Sequence, residues 1–325
     1  MKKWTGYQSP LGDSMECFVA HKRALFTNFK SQEPAFRALD HYLVQSGVTS
    51  LDQIDSAVLD EFFRSKAYLH PTCYNHYLSA IRRLFEWMIC RERIKVSPLQ
   101  TEKRKTTPSL MPFIFKHEDI KRLLNAACDL QDTSNAHRRA ETWTMMILLG
   151  YGLGMRISEI CNLQVGDIDF ERNVLLIANS KFGKSRYLPI GPRIAQQLTA
   201  YTSKSKIKNE TQRVLRWRED RQAIHSCNTW RTFRRLTLGL DLRAGPGQRE
   251  PRFHDLRHSF AVNTLLRYYQ EGKDPSQHLL SLSTFMGHSE LQHTAVYLTI
   301  TDALLNEANS RFQKLAIDAL REVQL

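Results

Sequence analysis

Apolar residues in this chain recur mainly every three or four positions, which is the spacing of one face of an α-helix. The clearest stripe consists of Tyr74, Tyr77, Leu78, Ile81, Leu84, Phe85 and Met88. Shorter stripes precede it, one from Pro34 to Gly47 and one over residues 54–63. Because such helices are stable only when their apolar faces are covered, the segment from Cys17 to Val96 is predicted to be an all-helical bundle.

The apolar period changes once, in the second half of the chain. Residues 173–178 and 185–190 are predicted to be two short strands that flank a turn from Asn179 to Lys184. Helical patterns lie on both sides of this hairpin, and from His254 onward the chain is predicted to be helical to its end. The expected fold is therefore mainly α, with a helical bundle followed by a mixed α+β domain that contains a small antiparallel sheet.

A basic stretch with several prolines separates the two patterns. Between Ser97 and Pro112 the apolar periodicity disappears, and prolines flank Lys103, Arg104 and Lys105. We therefore predict an N-terminal helical domain over residues 1–97, a linker over residues 98–112 and a second domain over residues 113–325. The linker is either a solvated tether or a segment that lies along a nucleic-acid backbone.

The net charge indicates a polyanionic partner. Among 325 residues, 46 Lys and Arg residues outnumber 33 Asp and Glu residues, which gives a formal net charge of +13. Such an excess is typical of proteins that bind DNA or RNA. The longest apolar stretch, Met145 to Met155, is too short to cross a bilayer, and the first residues lack an apolar leader segment. We expect a bacterial protein of the cytoplasm that associates with the nucleoid and not with a membrane.

Three common kinds of site are not indicated by the sequence. The six cysteines lie far apart without a Cys-x-x-Cys pair, which argues against a zinc ribbon or a disulfide framework. Gly183-Lys184-Ser185 is not the end of an ATP-binding loop, because Ala178 stands where that loop requires glycine. No cluster of His, Asp and Glu has metal-ligand spacing, so neither ATP nor a metal is expected. Carboxylates distant in sequence can still converge in space, so a metal-dependent nuclease stays an alternative that the sequence does not support.

Several residues that can bind phosphate lie in the second half of the chain. They are Arg156, Lys181, His254, Arg257, His288 and Tyr297. His254 and Arg257 are three positions apart, so a helix would place both on one face. Ser289 and Gln292 match a capping box at the start of the helix that would carry Tyr297. Taken singly, each residue also has an ordinary structural interpretation, such as a surface ion pair or a core position.

Taken together and in this order, the segments resemble the tyrosine recombinase (phage integrase) family of site-specific DNA recombinases. The resemblance extends roughly from Phe115 to Phe312 and rests on Gly-Leu-Gly-Met-Arg156-Ile-Ser-Glu, the hairpin from Lys181 to Ile190, His254-Asp-Leu-Arg257-His-Ser-Phe-Ala, and Met-Gly-His288-Ser with Tyr297 nine residues later. The N-terminal bundle is similar to the core-binding domain of the family. Short segments around Phe18 and after Tyr297 also resemble recombinases of transposons and other mobile elements.

The resemblance implies an enzyme that breaks and rejoins double-stranded DNA without ATP, a metal or any cofactor. The phosphodiester energy would be kept in a covalent 3′-phosphotyrosine bond to Tyr297, and strands would be exchanged through a Holliday junction during integration, excision or resolution of a mobile element. Arg156, Arg257 and His288 would stabilise charge on the phosphoryl oxygens. His254 would assist removal of the tyrosine proton, whose ordinary pKa is ~10.

Two side chains of the second half have alternative roles. By the same resemblance, Lys181 would protonate the departing 5′-oxygen, and Lys184 is the alternative donor. Glu159 lies one helical turn after Arg156 and either orients that arginine or faces solvent.

Other basic residues are candidates for contacts with DNA. They are Arg82, Arg83, Lys103, Arg104, Lys105 and Lys184. Arg82 and Arg83 lie off the apolar stripe of their helix, so they either contact phosphates or keep the helix soluble.

The resemblance also implies a homo-tetramer on two synapsed DNA sites, with or without an accessory protein. An amphipathic C-terminal helix, from Leu304 to Ala319, would dock on a neighbouring subunit or fold back on its own. The alternatives are a type IB topoisomerase, a catalytically idle DNA-binding protein and a basic RNA-binding or scaffold protein. The separate helical domain argues against a topoisomerase, and the intact motif residues argue against an idle DNA-binding protein. The order of the motifs would be unexplained in an RNA-binding or scaffold protein.

Overall fold

The structure is a computed structural model that describes residues 6–25, 29–107, 110–134, 136–178, 185–205, 209–217, 224, 226 and 229–299. The chain divides into two compact units, Met1–Ser109 and Leu110–Leu325. No helix within the described residues is long and apolar enough to span a membrane. The predicted turn from Asn179 to Lys184 and the predicted helix from Leu304 to Ala319 lie outside the described residues.

The described residues of the first unit form a helical bundle. Its helices are α1 (Gly12–Ala24), α2 (Glu33–Gln45), α3 (Ser56–Ser65) and α4 (Pro71–Cys90). The long apolar stripe lies on the inner face of α4, where Tyr77 is half-buried and the other stripe residues are buried. Helix α3 begins where the Asp55 side chain accepts a hydrogen bond from the backbone N–H of Val58, and Pro71 opens α4. The all-helical prediction for this segment is confirmed.

The second unit is also mainly helical in its described part. Its helices are α5 (His117–Cys128), α6 (Arg139–Gly152), α7 (Ile157–Asn162), α8 (Pro192–Ser203), α9 (Thr229–Gly239), α10 (Phe253–Gln270), α11 (Pro275–Met286) and α12 (Gln292–Ala295). A 3₁₀ turn, Val296–Thr299, follows α12. Helix α6 packs against α5, α8 and α10. At its close approach to α10, Gly150 faces the ring of Phe253, where a Cβ would lie only 3.2 Å from the ring.

The sheet consists of three short antiparallel strands in the order β1 (Ile168–Asp169), β2 (Val174–Ile177) and β3 (Arg186–Pro189). Leu175 pairs with Leu188, and both are fully buried on the core face. The small antiparallel sheet and its two main strands are therefore confirmed. Strand β1 was not predicted, because two residues are too few to show an alternating pattern.

The predicted capping box of Ser289 and Gln292 is wrong. Helix α12 begins at Gln292 itself after Leu291, and no side chain caps it. The chain begins to turn before α12. The backbone N–H of His293 donates to the carbonyl of Glu290, and that of Thr294 donates to the carbonyl of Leu291.

Candidate active site

Tyr297 lies in the 3₁₀ turn after α12 and is buried. Its hydroxyl is 2.7 Å from Nδ1 of His258, which projects from α10. Around the ring of Tyr297 packs an apolar cluster that includes Val262 and Met286. Burial raises the pKa of Tyr297 to about 12, although the charges of nearby Arg257 and Arg156 act in the opposite direction. The phenol is therefore protonated near neutral pH, and any reaction of its oxygen requires a proton acceptor.

Arg257 is held inside the unit by two backbone carbonyls. Its Nη1 donates to the carbonyl of Gly154 at 2.6 Å, and its Nη2 donates to the carbonyl of Met286 at 2.7 Å. The side chain is almost completely buried, and burial together with the charge of Arg156 lowers the pKa of Arg257 to about 9. The guanidinium therefore keeps its charge near neutral pH and has a fixed orientation.

Arg156 precedes α7 and has two partners on different elements. Its Nη1 donates to Oε1 of Glu159 at 2.8 Å, and its Nη2 donates to the carbonyl of Gly287 at 2.7 Å. The same Glu159 carboxylate accepts the backbone N–H of Arg156 at 3.0 Å, which caps α7. Arg156 is thus oriented by the side chain three residues later, and Glu159 is buried and does not face solvent.

Glu159 also binds a third arginine, Arg186 of β3. The Arg186 guanidinium donates from Nη1 and Nη2 to the two carboxylate oxygens, at 3.0 and 2.9 Å. Burial favours the neutral carboxyl, but the hydrogen bonds and charge of Arg186, with those of Arg156, outweigh it and lower the pKa of Glu159 to about 2. Glu159 is therefore an anion between two arginines.

Three arginines meet at the C-terminal end of α11. Consecutive carbonyls of residues 285–287 accept hydrogen bonds from Arg186 Nε, Arg257 Nη2 and Arg156 Nη2, at 2.9, 2.7 and 2.7 Å. The last carbonyls of a helix lack partners within the helix and carry the negative end of its dipole, so they attract cations. Gly287 closes α11 with a φ of 69°, and a Cβ there would lie 2.7 Å from Nη1 of Arg186. The end of α11 therefore brings together side chains from β3, from α10 and from the residue that caps α7.

His288 follows directly after this helix end. Its Nδ1 is 2.7 Å from the hydroxyl oxygen of Thr294, and its ring stacks near that of Tyr297 with the centroids 6.3 Å apart. Partial burial and the charges of Arg257 and Arg156 lower the pKa of His288 to about 3. The imidazole is therefore neutral near pH 7 and can donate one hydrogen bond.

A buried tyrosine, two anchored guanidinium groups and a neutral imidazole form a site suited to a phosphodiester. Residues 114–303 match the model of the phage integrase family, which is more than half of the chain. This chain belongs to the phage integrase family.

Relatives of this family member include recombinases of bacteria and archaea. The chain is 34% identical over 213 residues to a putative integrase/recombinase of Sinorhizobium fredii, an alignment that covers 62% of this chain and 66% of that protein. It is 28% identical over 204 residues to the tyrosine recombinase XerA of Thermococcus kodakarensis, covering 63% and 64%. The alignments with these two relatives span slightly less than two thirds of their lengths. A longer alignment, 26% identical over 274 residues, covers 83% of this chain and 83% of XerC of Salmonella typhi.

Solved structures of the integrase fold superimpose on most of this chain. A Tn1549 transposon integrase in complex with circular intermediate DNA gives a TM-score of 0.63 at 16% identity and covers 93% of this chain and 99% of that chain. XerH recombinase in a post-cleavage complex with a difH substrate gives a TM-score of 0.60 at 19% identity and covers 87% and 79%. The mainly helical fold with its small sheet is therefore the fold of this integrase family.

In this member of the phage integrase family, most of the predicted site residues lie together. Arg156, Arg257, Tyr297, His288 and Glu159 surround the end of α11 and the turn that carries the tyrosine. His254 lies one turn before His258 on α10, and the centroids of the two rings are 4.7 Å apart. Burial, with the charges of His258 and Arg257, lowers the pKa of His254 to about 4. Lys181 and Lys184 lie outside the described residues.

The predicted DNA-contact residues of the first unit fall into two groups. Arg83, Lys103 and Lys105 are exposed. Arg82 and Arg104 instead make contacts within the unit: Nη2 of Arg82 donates to the carbonyl of Thr101 at 2.9 Å, and the Arg104 guanidinium lies 3.7 Å from the centre of the Tyr74 ring. Binding to DNA by any of these side chains stays a prediction.

Sequence reasoning missed His258 and Arg186. Both lie inside motifs that carry the resemblance, but neither was assigned a function. His258 stands four residues after His254, so a helix places both on one side. This spacing could have identified His258 as a further candidate for the site. Arg186 gave no comparable signal, since its acidic partner is 27 residues earlier in the chain.

Proposed function

We propose that this member of the phage integrase family is a tyrosine site-specific recombinase that cleaves and rejoins DNA through a covalent 3′-phosphotyrosine intermediate. The observation that carries the proposal is the placement of a buried tyrosine, Tyr297, beside two anchored arginines and a neutral histidine. Phosphoryl transfer needs a nucleophile and preorganised positive charge where charge develops on the phosphoryl oxygens. Arg156, Arg257 and His288 supply that charge and those donors.

The two arginines have more N–H groups than the contacts described above use. A guanidinium carries five N–H groups in a planar fork, and the contacts of Arg156 and of Arg257 described above each engage both Nη atoms once. We propose that the remaining N–H groups donate to the phosphoryl oxygens of a scissile phosphate. Because both forks are fixed before DNA binds, little reorganisation is needed when the transition state forms.

His288 complements the arginines as a neutral donor. When Nδ1 accepts the hydroxyl hydrogen of Thr294, the remaining proton of the ring is on Nε2, which then donates to a phosphoryl oxygen. We propose that Lys181 protonates the departing 5′-oxygen, with Lys184 as the alternative. No metal or cofactor is needed in this scheme, because the charge on the phosphate is balanced by side chains.

The wider biological role is proposed from the relatives. A relative named as a putative integrase and a structural neighbour from a transposon favour integration, excision or resolution of a mobile element. We propose residues 1–97 as a core DNA-binding domain, residues 98–112 as a basic linker and residues 113–325 as the catalytic domain. The protein would act in the cytoplasm as a homo-tetramer on two synapsed DNA sites, with the segment after Tyr297 docking on a neighbouring subunit.

The test is formation of a covalent protein–DNA adduct. Wild-type protein and Tyr297→Phe are incubated in EDTA with nicked duplexes from the DNA that flanks its own gene, and the products are separated on a denaturing gel. We expect an adduct with wild type alone, and equal binding of both proteins in a mobility-shift assay. An adduct with Tyr297→Phe would overturn the choice of nucleophile. Relaxation of supercoiled plasmid without a specific site would favour a type IB topoisomerase.

A further inference from the structure

We propose that the exposed face of helix α9 binds phosphates of the DNA duplex beside the cleavage site. We call this surface the α9 basic face, and it consists of Trp230, Arg231, Arg234 and Arg235. The inference rests on the function proposed above and adds a binding surface outside the site of Tyr297. The sequence alone did not single out any of these four residues as a DNA contact.

Helix α9 has an apolar face and a basic face on opposite sides. Its inner residues Phe233 and Leu236 are buried in the core of the second unit. The four residues of the α9 basic face are all exposed, and they form two pairs four positions apart in the sequence, so they lie side by side on the outer surface. The side chain of Trp230 is 59% exposed, which is unusual for so large an aromatic residue. The described part of the unit therefore leaves a surface of aromatic and cationic groups uncovered.

Within the described part of the chain, the arginines of the α9 basic face have no carboxylate partner. Other exposed arginines of this unit do have one: Arg252 and Arg267 lie 2.9 and 3.7 Å from a carboxylate three or four residues later. Helix α9 itself contains no Asp or Glu. Three positive charges within two helical turns repel one another, and a bound polyanion would relieve this repulsion.

Trp230 adds a contact that does not depend on charge. The guanidinium carbon of Arg231 lies 5.8 Å from the centre of the Trp230 ring, so the ring helps to hold this cation on the surface. Duplex DNA offers anionic phosphates to the arginines and apolar sugar faces to the indole. An anionic membrane fits less well, because the apolar face of α9 is buried in the core and cannot enter lipid.

Helix α9 lies beside helices that hold the catalytic groups. The ring of Phe233 packs on Phe253, the first residue of α10, with the centroids 5.4 Å apart. Burial and the charge of Arg235 lower the pKa of Arg139, the first residue of α6, so Arg235 lies near that end of α6. Helix α6 is ~20 Å long, and the carbonyl that holds Arg257 follows its other end. A duplex bound at Arg257 therefore needs to extend only about six nucleotides to reach the α9 basic face.

The experiment removes the three charges and measures binding and chemistry separately. The test variant combines Arg231→Ala, Arg234→Ala and Arg235→Ala, and alanine preserves the helix. The control variant removes three exposed arginines of the same unit that lie on other elements: Arg172→Ala, Arg193→Ala and Arg267→Ala. Mobility-shift assays over a range of salt concentrations use the nicked duplex of the adduct assay. Single-turnover adduct formation is measured at saturating protein, and thermal unfolding shows that both variants fold.

We expect the test variant to lower the slope of log affinity against log salt by about 3, one for each lost phosphate contact, and to bind ~10–100-fold more weakly near 0.1 M salt. The control variant should change the slope by less than about 1. Trp230→Ala should weaken binding about fivefold with an unchanged slope, because no charge is removed. Adduct formation by the test variant at saturating protein should stay within about threefold of wild type, since the α9 basic face does not touch the reacting atoms.

Duplexes with single neutral phosphates locate the contact. Methylphosphonate linkages are placed one at a time up to about six nucleotides from the cut on either side. A linkage that the α9 basic face contacts should weaken binding by wild type and by the control variant. The same linkage should not weaken binding by the test variant further, because the two changes remove one interaction.

Three other results would decide against one of the two proposals. An unchanged affinity and salt slope in the test variant would overturn the DNA contact. Unchanged DNA binding together with reduced self-association in sedimentation would also overturn it and assign the face to a second copy of this chain. The expected change of slope without any adduct from wild type would instead overturn the proposed function and keep the α9 basic face as a DNA contact, so the two failures are distinguishable.

Discussion

Arg186 donates hydrogen bonds from both Nη atoms to the carboxylate oxygens of Glu159, at 3.0 and 2.9 Å. The side chain of Arg186 is 10% exposed and that of Glu159 is 5% exposed. The pair joins β3 to α7, and Glu159 also holds Arg156 through its other contacts. A buried ion pair with good geometry does not by itself raise stability much, but removal of one partner leaves an uncompensated charge. The orientation of Arg156, which precedes α7, therefore depends on Arg186 of strand β3.

Glu159→Gln should destabilise the second unit by about 3–5 kcal/mol near neutral pH, because Arg186 and Arg156 then lose their counter-ion. The pKa of Glu159 is about 2 in the folded protein and ~4.3 in an unfolded chain. A lowered folded-state pKa gives stability that is present above ~4.3 and is lost as pH falls toward about 2. Glu159→Gln has no carboxyl group at this position, so its stability should not fall between these two pH values for this reason.

Urea unfolding as a function of pH checks this prediction. The control is Glu171→Gln, an exposed glutamate of the same unit, which should change stability by less than ~0.5 kcal/mol. An identical acid-dependent loss of stability in Glu159→Gln and wild type would contradict it.

Arg257→Lys should lower the rate of adduct formation by ~10²–10³-fold with little loss of DNA binding. A lysine ammonium cannot bridge the carbonyls of Gly154 and Met286 and also present a planar fork to a phosphate. Single-turnover cleavage and mobility-shift assays measure the two effects separately. Arg193→Lys, at an exposed position of α8, is the matched control. Equal rates of adduct formation in Arg257→Lys and Arg193→Lys would show that Arg257 takes no part in the reaction.

Gly154→Ala should destabilise the second unit by about 2–4 kcal/mol, from left-handed backbone strain and overpacking. Gly154 has a φ of 60°, and an added Cβ would lie 2.5 Å from Cδ1 of Phe260. Since the Gly154 carbonyl holds Arg257, adduct formation should fall as well. Gly239→Ala is the control, because its Cβ would meet nothing within 4 Å and its φ is not positive. Equal thermal stability of the two variants would refute this account.

Arg104→Ala should destabilise the first unit by about 1–2 kcal/mol, whereas Lys103→Ala should not. Arg104 stacks on Tyr74, and its Nη1 donates to the carbonyl of Ala67 at 3.0 Å. If exposed Lys103 contacts a phosphate, its removal lowers the slope of log affinity against log salt by about 1. Thermal unfolding and salt titrations of DNA binding provide the two measurements. If Arg104→Ala kept the wild-type stability but bound DNA more weakly, Arg104 would be a DNA contact and not a stabilising residue.

The sequence alone predicted the helices of the bundle, the two main strands and the family. These features are local: an apolar stripe such as that of α4 follows from a period of 3.6 residues, and a motif such as His254-Asp-Leu-Arg257 is a short run of chain. The same local reasoning missed β1 and misplaced the cap of α12, because both depend on a few residues that the surrounding fold positions.

The tertiary structure alone decided which side chains meet. Arg257 binds the carbonyl of Gly154, 103 residues earlier, and His258 contacts Tyr297, 39 residues later. No periodicity encodes these distances, since they depend on how α6, α10 and α11 pack and where the chain turns after Gly287. The sequence thus determined the chemical groups and the elements that carry them. Close packing of those elements determined which histidine faces the tyrosine and which carbonyls hold the arginines.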